Sequence, residues 1–177
     1  MRRFIVALLW LGFCGTAHAT LLDGKMLGFA VHFPTITETP PDPLNQNYLV
    51  GPGNEIVAPG VKGNFSDTNL RGDWSVAFTY ITADFVGWEF FDALGDIDPF
   101  LSVTLNPDTN MVGLDSSRIT FDANHIWVNL SGLSVRPGTV VSIDINATGS
   151  TVPEPGSWGL AVGALAILSL TRRRRLR

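Results

Sequence analysis

The chain has 177 residues, 45% of them apolar and 16% charged, with a formal net charge of −4. Its 18 glycines and 11 prolines fit neither a coiled coil nor the Gly-X-Y repeat of collagen, and the apolar content excludes a disordered acidic tail. Between Thr20 and Val152 only Lys25, Lys62, Arg71, Arg118 and Arg136 are basic, against 15 acidic residues, so this stretch carries −10 and lacks the clustered cations a nucleic-acid partner needs.

The first 19 residues have the three parts of a secretory signal peptide. Arg2 and Arg3 supply the positive start, Phe4 to Phe13 the apolar run, and Ala17-His18-Ala19 a small-x-small cleavage site. Residues 1–19 are therefore expected to form a signal helix, with cleavage after Ala19 leaving Thr20 first. An apolar run this short does not reach the roughly 20 residues of a membrane span. Cys14, the one cysteine, lies in this segment. The remainder thus has no disulfide and must be held by packing.

Residues 20–145 alternate with period 2, the signature of strands with one buried face. The clearest sets are Trp74-Val76-Phe78-Tyr80, Leu101-Val103-Leu105, Ile126-Val128-Leu130 and Val141-Ile143-Ile145. Shorter candidates are Leu27–Phe33, Tyr48–Val50, Glu55–Ala58, Phe85–Phe91 and Ser117–Phe121. Turn-forming clusters separate them: Pro40-Pro41-Asp42-Pro43, Gly51-Pro52-Gly53-Asn54, Pro59-Gly60, Arg71-Gly72-Asp73, Asn106-Pro107-Asp108 and Arg136-Pro137-Gly138. Eight or nine short strands at these intervals predict an all-β domain, an antiparallel β-sandwich of jelly-roll-like or immunoglobulin-like type. A short linker follows at 146–152, rich in Thr, Gly and Ser.

Within this domain the chemistry-bearing residues are sparse. Outside the signal segment there are two histidines, His32 and His125, both in predicted strands and neither in a metalloprotease pair. Asp92, Asp96 and Asp98 form the densest acidic cluster, and a hard cation such as Ca²⁺ is bound by several oxygens converging from one loop. The same three residues ahead of Pro99 also read as turn formers. Trp74 and Trp88 fit core positions. Trp127 does not: it lies between Ile126 and Val128, on the face opposite theirs, where an exposed indole could stack on a sugar ring.

The C-terminus, residues 153–177, has a second three-part pattern: Pro153-Glu154-Pro155, an apolar stretch from Trp158 to Leu170, then Arg172, Arg173, Arg174, Arg175 and Arg177. As a helix the apolar part is about 20 Å long, short of the roughly 30 Å hydrocarbon core, so it predicts a marginal, transient transmembrane helix. The arginines predict a cytoplasmic end, acting as a stop during export. This order of elements resembles the PEP-CTERM sorting signal of Gram-negative bacteria. The resemblance covers Val152 to Arg177 and none of the β-rich part. It implies recognition by exosortase, an integral-membrane processing enzyme, after delivery by the secretion machinery. It also implies release from the inner membrane to the cell surface or extracellular matrix, in an exopolysaccharide or biofilm setting.

The expectation is a β-sandwich flanked by a signal helix and a C-terminal hydrophobic helix, exported and non-enzymatic, with a structural or adhesive role. A carbohydrate- or Ca²⁺-dependent binding module is the alternative, and a small secreted hydrolase a third. No cofactor is expected beyond that Ca²⁺ option. The partners expected are exosortase, the membrane transiently, and extracellular polysaccharide.

Overall fold

Strand alternation near the C-terminal end of the domain builds the middle of the core. Ile126, Val128, Leu130, Val141, Ile143 and Ile145 are each at most 1% exposed. The structure, a computed structural model, describes residues 20–147. The predicted signal helix with Ala17 and Ala19, the sorting motif Pro153-Glu154-Pro155, the hydrophobic helix and the arginine cluster lie outside the described residues. No helix among the described residues is long and apolar enough to cross a membrane.

Twelve strands are present among the described residues: β1 Met26–His32, β2 Gln46–Leu49, β3 Ile56–Ala58, β4 Val61–Ser66, β5 Asn69–Trp74, β6 Phe78–Thr79, β7 Gly87–Asp92, β8 Phe100–Leu105, β9 Ile119–Phe121, β10 His125–Asn129, β11 Ser134–Val135 and β12 Thr139–Ala147. One 3₁₀ turn, Ser116–Arg118, precedes β9 and is capped by Asp115. The strands form two five-stranded sheets, β2-β1-β7-β10-β9 and β3-β4-β5-β12-β8, plus the small pair β11-β6. Every pairing is antiparallel.

The two large sheets share one core, which makes the domain an all-β sandwich. Phe65 on β4 meets three rings of the opposite sheet, with centroids 6.4 Å from Phe29, 6.0 Å from Tyr48 and 5.5 Å from Phe90. Trp74 on β5 stacks on Trp88 on β7 at 5.3 Å and 8° between planes, as core positions predict. The core includes residues close to the start of the described chain. Leu21 and Leu22 are buried, and their N–H groups donate to Asp67 in the β4–β5 turn.

Four expectations need correction. Arg71-Gly72-Asp73 is not a turn but the middle of β5; the turn is the Asp67-Thr68 hairpin, since Ser66 pairs with Asn69. Glycines at 63 and 72 break the apolar alternation there and hid the hairpin. The strand expected from Trp74 to Tyr80 ends at Trp74. The chain then leaves the sheet, the Ser75 N–H donating to the Gly60 carbonyl, and Val76 and Phe78 are exposed. On β8 it is Phe100 that is buried, while Leu101 is 46% exposed. The register slips opposite Asn146 and Ala147 and leaves Leu101 without a partner, so alternation changes phase there. Finally, β12 runs through Ala147, two residues into the segment expected to be linker.

Candidate functional site

Three features of the sandwich bear on function. The first is the face of the β2-β1-β7-β10-β9 sheet directed away from the core. Alternation places Glu89 and Phe91 of β7 and His125 and Trp127 of β10 on that side, opposite buried Phe90, Ile126 and Val128. Register pairs Phe91 with His125 and Glu89 with Trp127. Directly opposed side chains of this kind have Cβ atoms about 5 Å apart. His125 stacks on Trp127 with centroids 5.2 Å apart and planes 13° apart, and lies 6.3 Å from Phe91. Phe91, His125 and Trp127 therefore form a continuous aromatic row, half-buried at its base and open to water above. The Phe91 ring extends over Gly28 on β1, where a Cβ would overlap it.

Fixed polar groups flank the row. His125 Nδ1 is 3.1 Å from Asp122 Oδ1. The N–H of Asn124, and then the His125 ring, hold the Asp122 carboxyl below the usual carboxylate range. Glu89 Oε2 is 2.8 Å from His32 Nε2, and His32 Nδ1 is 3.3 Å from the Thr39 hydroxyl. Hydroxyl, imidazole and carboxylate are thus in the order a hydrolase uses. Thr39 is exposed, however, and its contact with His32 is longer than the usual nucleophile–base hydrogen bond. Phe85 packs edge-on against the His32 ring. Nearby, Asn45 accepts from the Val31 N–H and donates to the Pro40 carbonyl. The trio reads as a clamp that fastens the loop between β1 and β2 to the sheet and orients Glu89 beside Trp127.

The second feature is the acidic loop. Asp92 Oδ1 accepts from the N–H groups of Leu94, Gly95 and Asp96, and Oδ2 from that of Ile97. Both oxygens are committed to the turn that follows β7. Asp96 points to Lys25, Nζ to Oδ2 3.2 Å, and Asp98 is exposed. The three carboxylates do not converge, and no group of three or more His, Cys, Asp or Glu among the described residues could hold a metal ion.

The third feature, absent from the sequence reading, is a cavity of about 270 Å³ between the sheets. It arises where Gly63 of β4 and Gly72 of β5 face each other across the hairpin on the core side. With no side chains on these two residues, Ile56 and the tryptophan rings pack close over the hairpin. A Cβ on Gly72 would lie 2.9 Å from the Trp88 ring, and one on Gly63 would lie 3.1 Å from Ile56. The cavity is lined by Phe29, Phe90, the Trp74–Trp88 stack, Val61 and Tyr80, among others. Burial pushes the Tyr80 phenol well above its ordinary value, partly offset by hydrogen bonding with the Trp74 side chain. The exposed Val76 and Phe78 also border the cavity. Val76 packs over Gly60, whose φ of +85° makes the tight β3–β4 turn. The spacing of Gly63 and Gly72, equidistant from Asp67-Thr68, is the sequence signal that could have revealed it.

Comparison with protein-family models, curated proteins and solved structures finds no match in any of the three.

Proposed function

We propose that this is an exported, exosortase-processed protein of the cell surface or extracellular matrix, and that its sandwich acts by adhesion to polysaccharide rather than by catalysis. The observation that carries the adhesive reading is the Phe91-His125-Trp127 row with Glu89 beside it. Aromatic faces and edges cover the C–H surfaces of sugar rings, and a fixed carboxylate accepts their hydroxyl hydrogens. Export rests on the signal-like and sorting-like termini. The Ca²⁺-dependent alternative loses support from Asp92, whose two oxygens already bind four N–H groups.

The strand order supports a jelly-roll-like rather than an immunoglobulin-like wrap. The chain changes sheets between β2 and β3, β5 and β7, β7 and β8, β8 and β9, and β10 and β12. The late strands β10 and β12 each insert between earlier ones, β7 and β9 in one sheet, β5 and β8 in the other. The charge of −10 over Thr20–Val152 favours a neutral or amine-bearing polysaccharide over a polyanionic one.

The test is retention of the protein in gels cast with neutral, cationic and anionic polysaccharides. Neutral or cationic gels should retard it, and Trp127→Ala should weaken retention about tenfold or more while leaving the fold intact. Equal retention of wild type and Trp127→Ala would refute the assignment of the row.

A further inference from the structure

We infer that the inter-sheet cavity is a binding site for a small uncharged apolar molecule of roughly ten carbons, a function separate from the adhesive row on the outer sheet face. Volume sets the size. A cavity of about 150 Å³ takes a benzene ring, so one of about 270 Å³ suits roughly ten carbon atoms. Lining sets the chemistry. Phe29, Phe90, Trp74, Trp88 and Val61 present carbon to the cavity.

Three charged residues border the cavity, Asp42, Lys62 and Arg71. Strand alternation directs the side chains of Lys62 and Arg71 to the opposite face from buried Gly63 and Gly72. Arg71 is paired there with Asp73 at 2.9 Å and Asp108 at 3.4 Å. Asp42 accepts the N–H of Leu44. The phenol of Tyr80 is the one hydroxyl in the lining and suits the polar end of an alcohol.

Access is provided at the edge of the sandwich. Val76 and Phe78 are 40% and 43% exposed and border the cavity, so an apolar rim leads from solvent to the indole stack. Exposed apolar side chains continuous with an apolar cavity are the usual form of a small-molecule entrance. The glycine pair lets Ile56 and the indole stack pack close over the hairpin at the cavity wall. Larger residues at 63 and 72 would press on Ile56 and on the two tryptophans.

The test titrates the full chain with n-alkanols from hexanol to tetradecanol and reads the indole N–H signals by NMR. The signals are assigned by single Trp→Phe replacements. The indoles of Trp74 and Trp88 should shift, and that of Trp127 should not. Affinity should rise about fourfold per methylene up to roughly ten carbons and then level off. Val61→Phe adds ring carbons inside the cavity and should shorten the best alkanol by about three carbons. If that variant does not fold, Phe78→Glu, at an exposed rim position, should weaken decanol binding several-fold. Shifts confined to Trp10 or Trp158, no shift at all, or a chain-length optimum unmoved by Val61→Phe with binding unmoved by Phe78→Glu, would overturn the proposal. Loss of polysaccharide retention in Trp127→Ala bears on the row alone, so the two readings fail separately.

Discussion

Phe65→Ala removes a ring that is 2% exposed and meets Phe29, Tyr48 and Phe90 of the opposite sheet. Truncating a buried phenylalanine costs about 3–5 kcal/mol, through lost transfer energy and the hole left behind. Here the hole would join the cavity that Phe65 already borders, so the neighbours have little to collapse onto and the cost lies toward the upper end. The domain has no disulfide to limit the loss, Cys14 being the sole cysteine. Against a typical domain stability of about 5–15 kcal/mol, this is a third or more of the total. For a domain of this size it lowers Tm by roughly 10–20 °C. Thermal unfolding followed by near-ultraviolet circular dichroism measures it directly, since the Trp74–Trp88 stack reports on the same core. A fall of less than about 3 °C would show that the sheets do not rest on each other at Phe65, and would refute the sandwich packing described above.

At Gly87 a Cβ would run into the Val128 carbonyl oxygen, a backbone atom that cannot swing aside. Gly87→Ala should break the β7–β10 pairing and lower Tm by more than 10 °C or so, whereas Gly51→Ala, with nothing within 4 Å, should stay within about 2 °C. Asp92→Asn turns one acceptor oxygen into a donor facing an N–H and should destabilise the loop by about 1–3 kcal/mol in urea unfolding. Millimolar Ca²⁺ should leave the wild-type Tm unchanged, and a rise of several degrees would restore the cation reading. The Asp122 carboxyl titrates below its ordinary value because it accepts the Asn124 N–H and pairs with His125. Its contribution is therefore present above the unfolded value, about 3.9, and is lost as pH falls through the lower folded value. Asp122→Asn should lower Tm at pH 6 and converge with wild type near pH 2; an equal gap at both would contradict this.

Strands whose apolar residues alternate without interruption were legible from the sequence. Ile126-Val128-Leu130 and Val141-Ile143-Ile145 became the buried faces of β10 and β12 and the segment after β10. The β4–β5 hairpin was not, because Gly63 and Gly72 occupy inward positions where a reader expects apolar side chains. Arg71-Gly72-Asp73 imitates a turn by composition, yet the Arg71–Asp73 ion pair simply spans alternate residues on the outer face of one strand. Leu101 was misplaced by a register slip, which depends on the neighbouring strand and leaves no mark in the local pattern. For the site, the outward position of Trp127 follows from its own strand. Its companions Phe91 and Glu89 come from β7, and only the pairing register brings them alongside. The cavity needed both the hairpin and its register, so it was out of reach once the hairpin was missed.

Export and trimming at both ends precede every role proposed for the sandwich. Intact-mass analysis of the native protein recovered from the extracellular matrix of its host tests this in one measurement. The predicted result is a chain beginning at Thr20 and lacking Arg172–Arg177, found outside the inner membrane, with any added anchor visible as extra mass. A full-length chain that starts at Met1, or one that keeps the arginine cluster and stays in the inner membrane of an exosortase-bearing host, would contradict it.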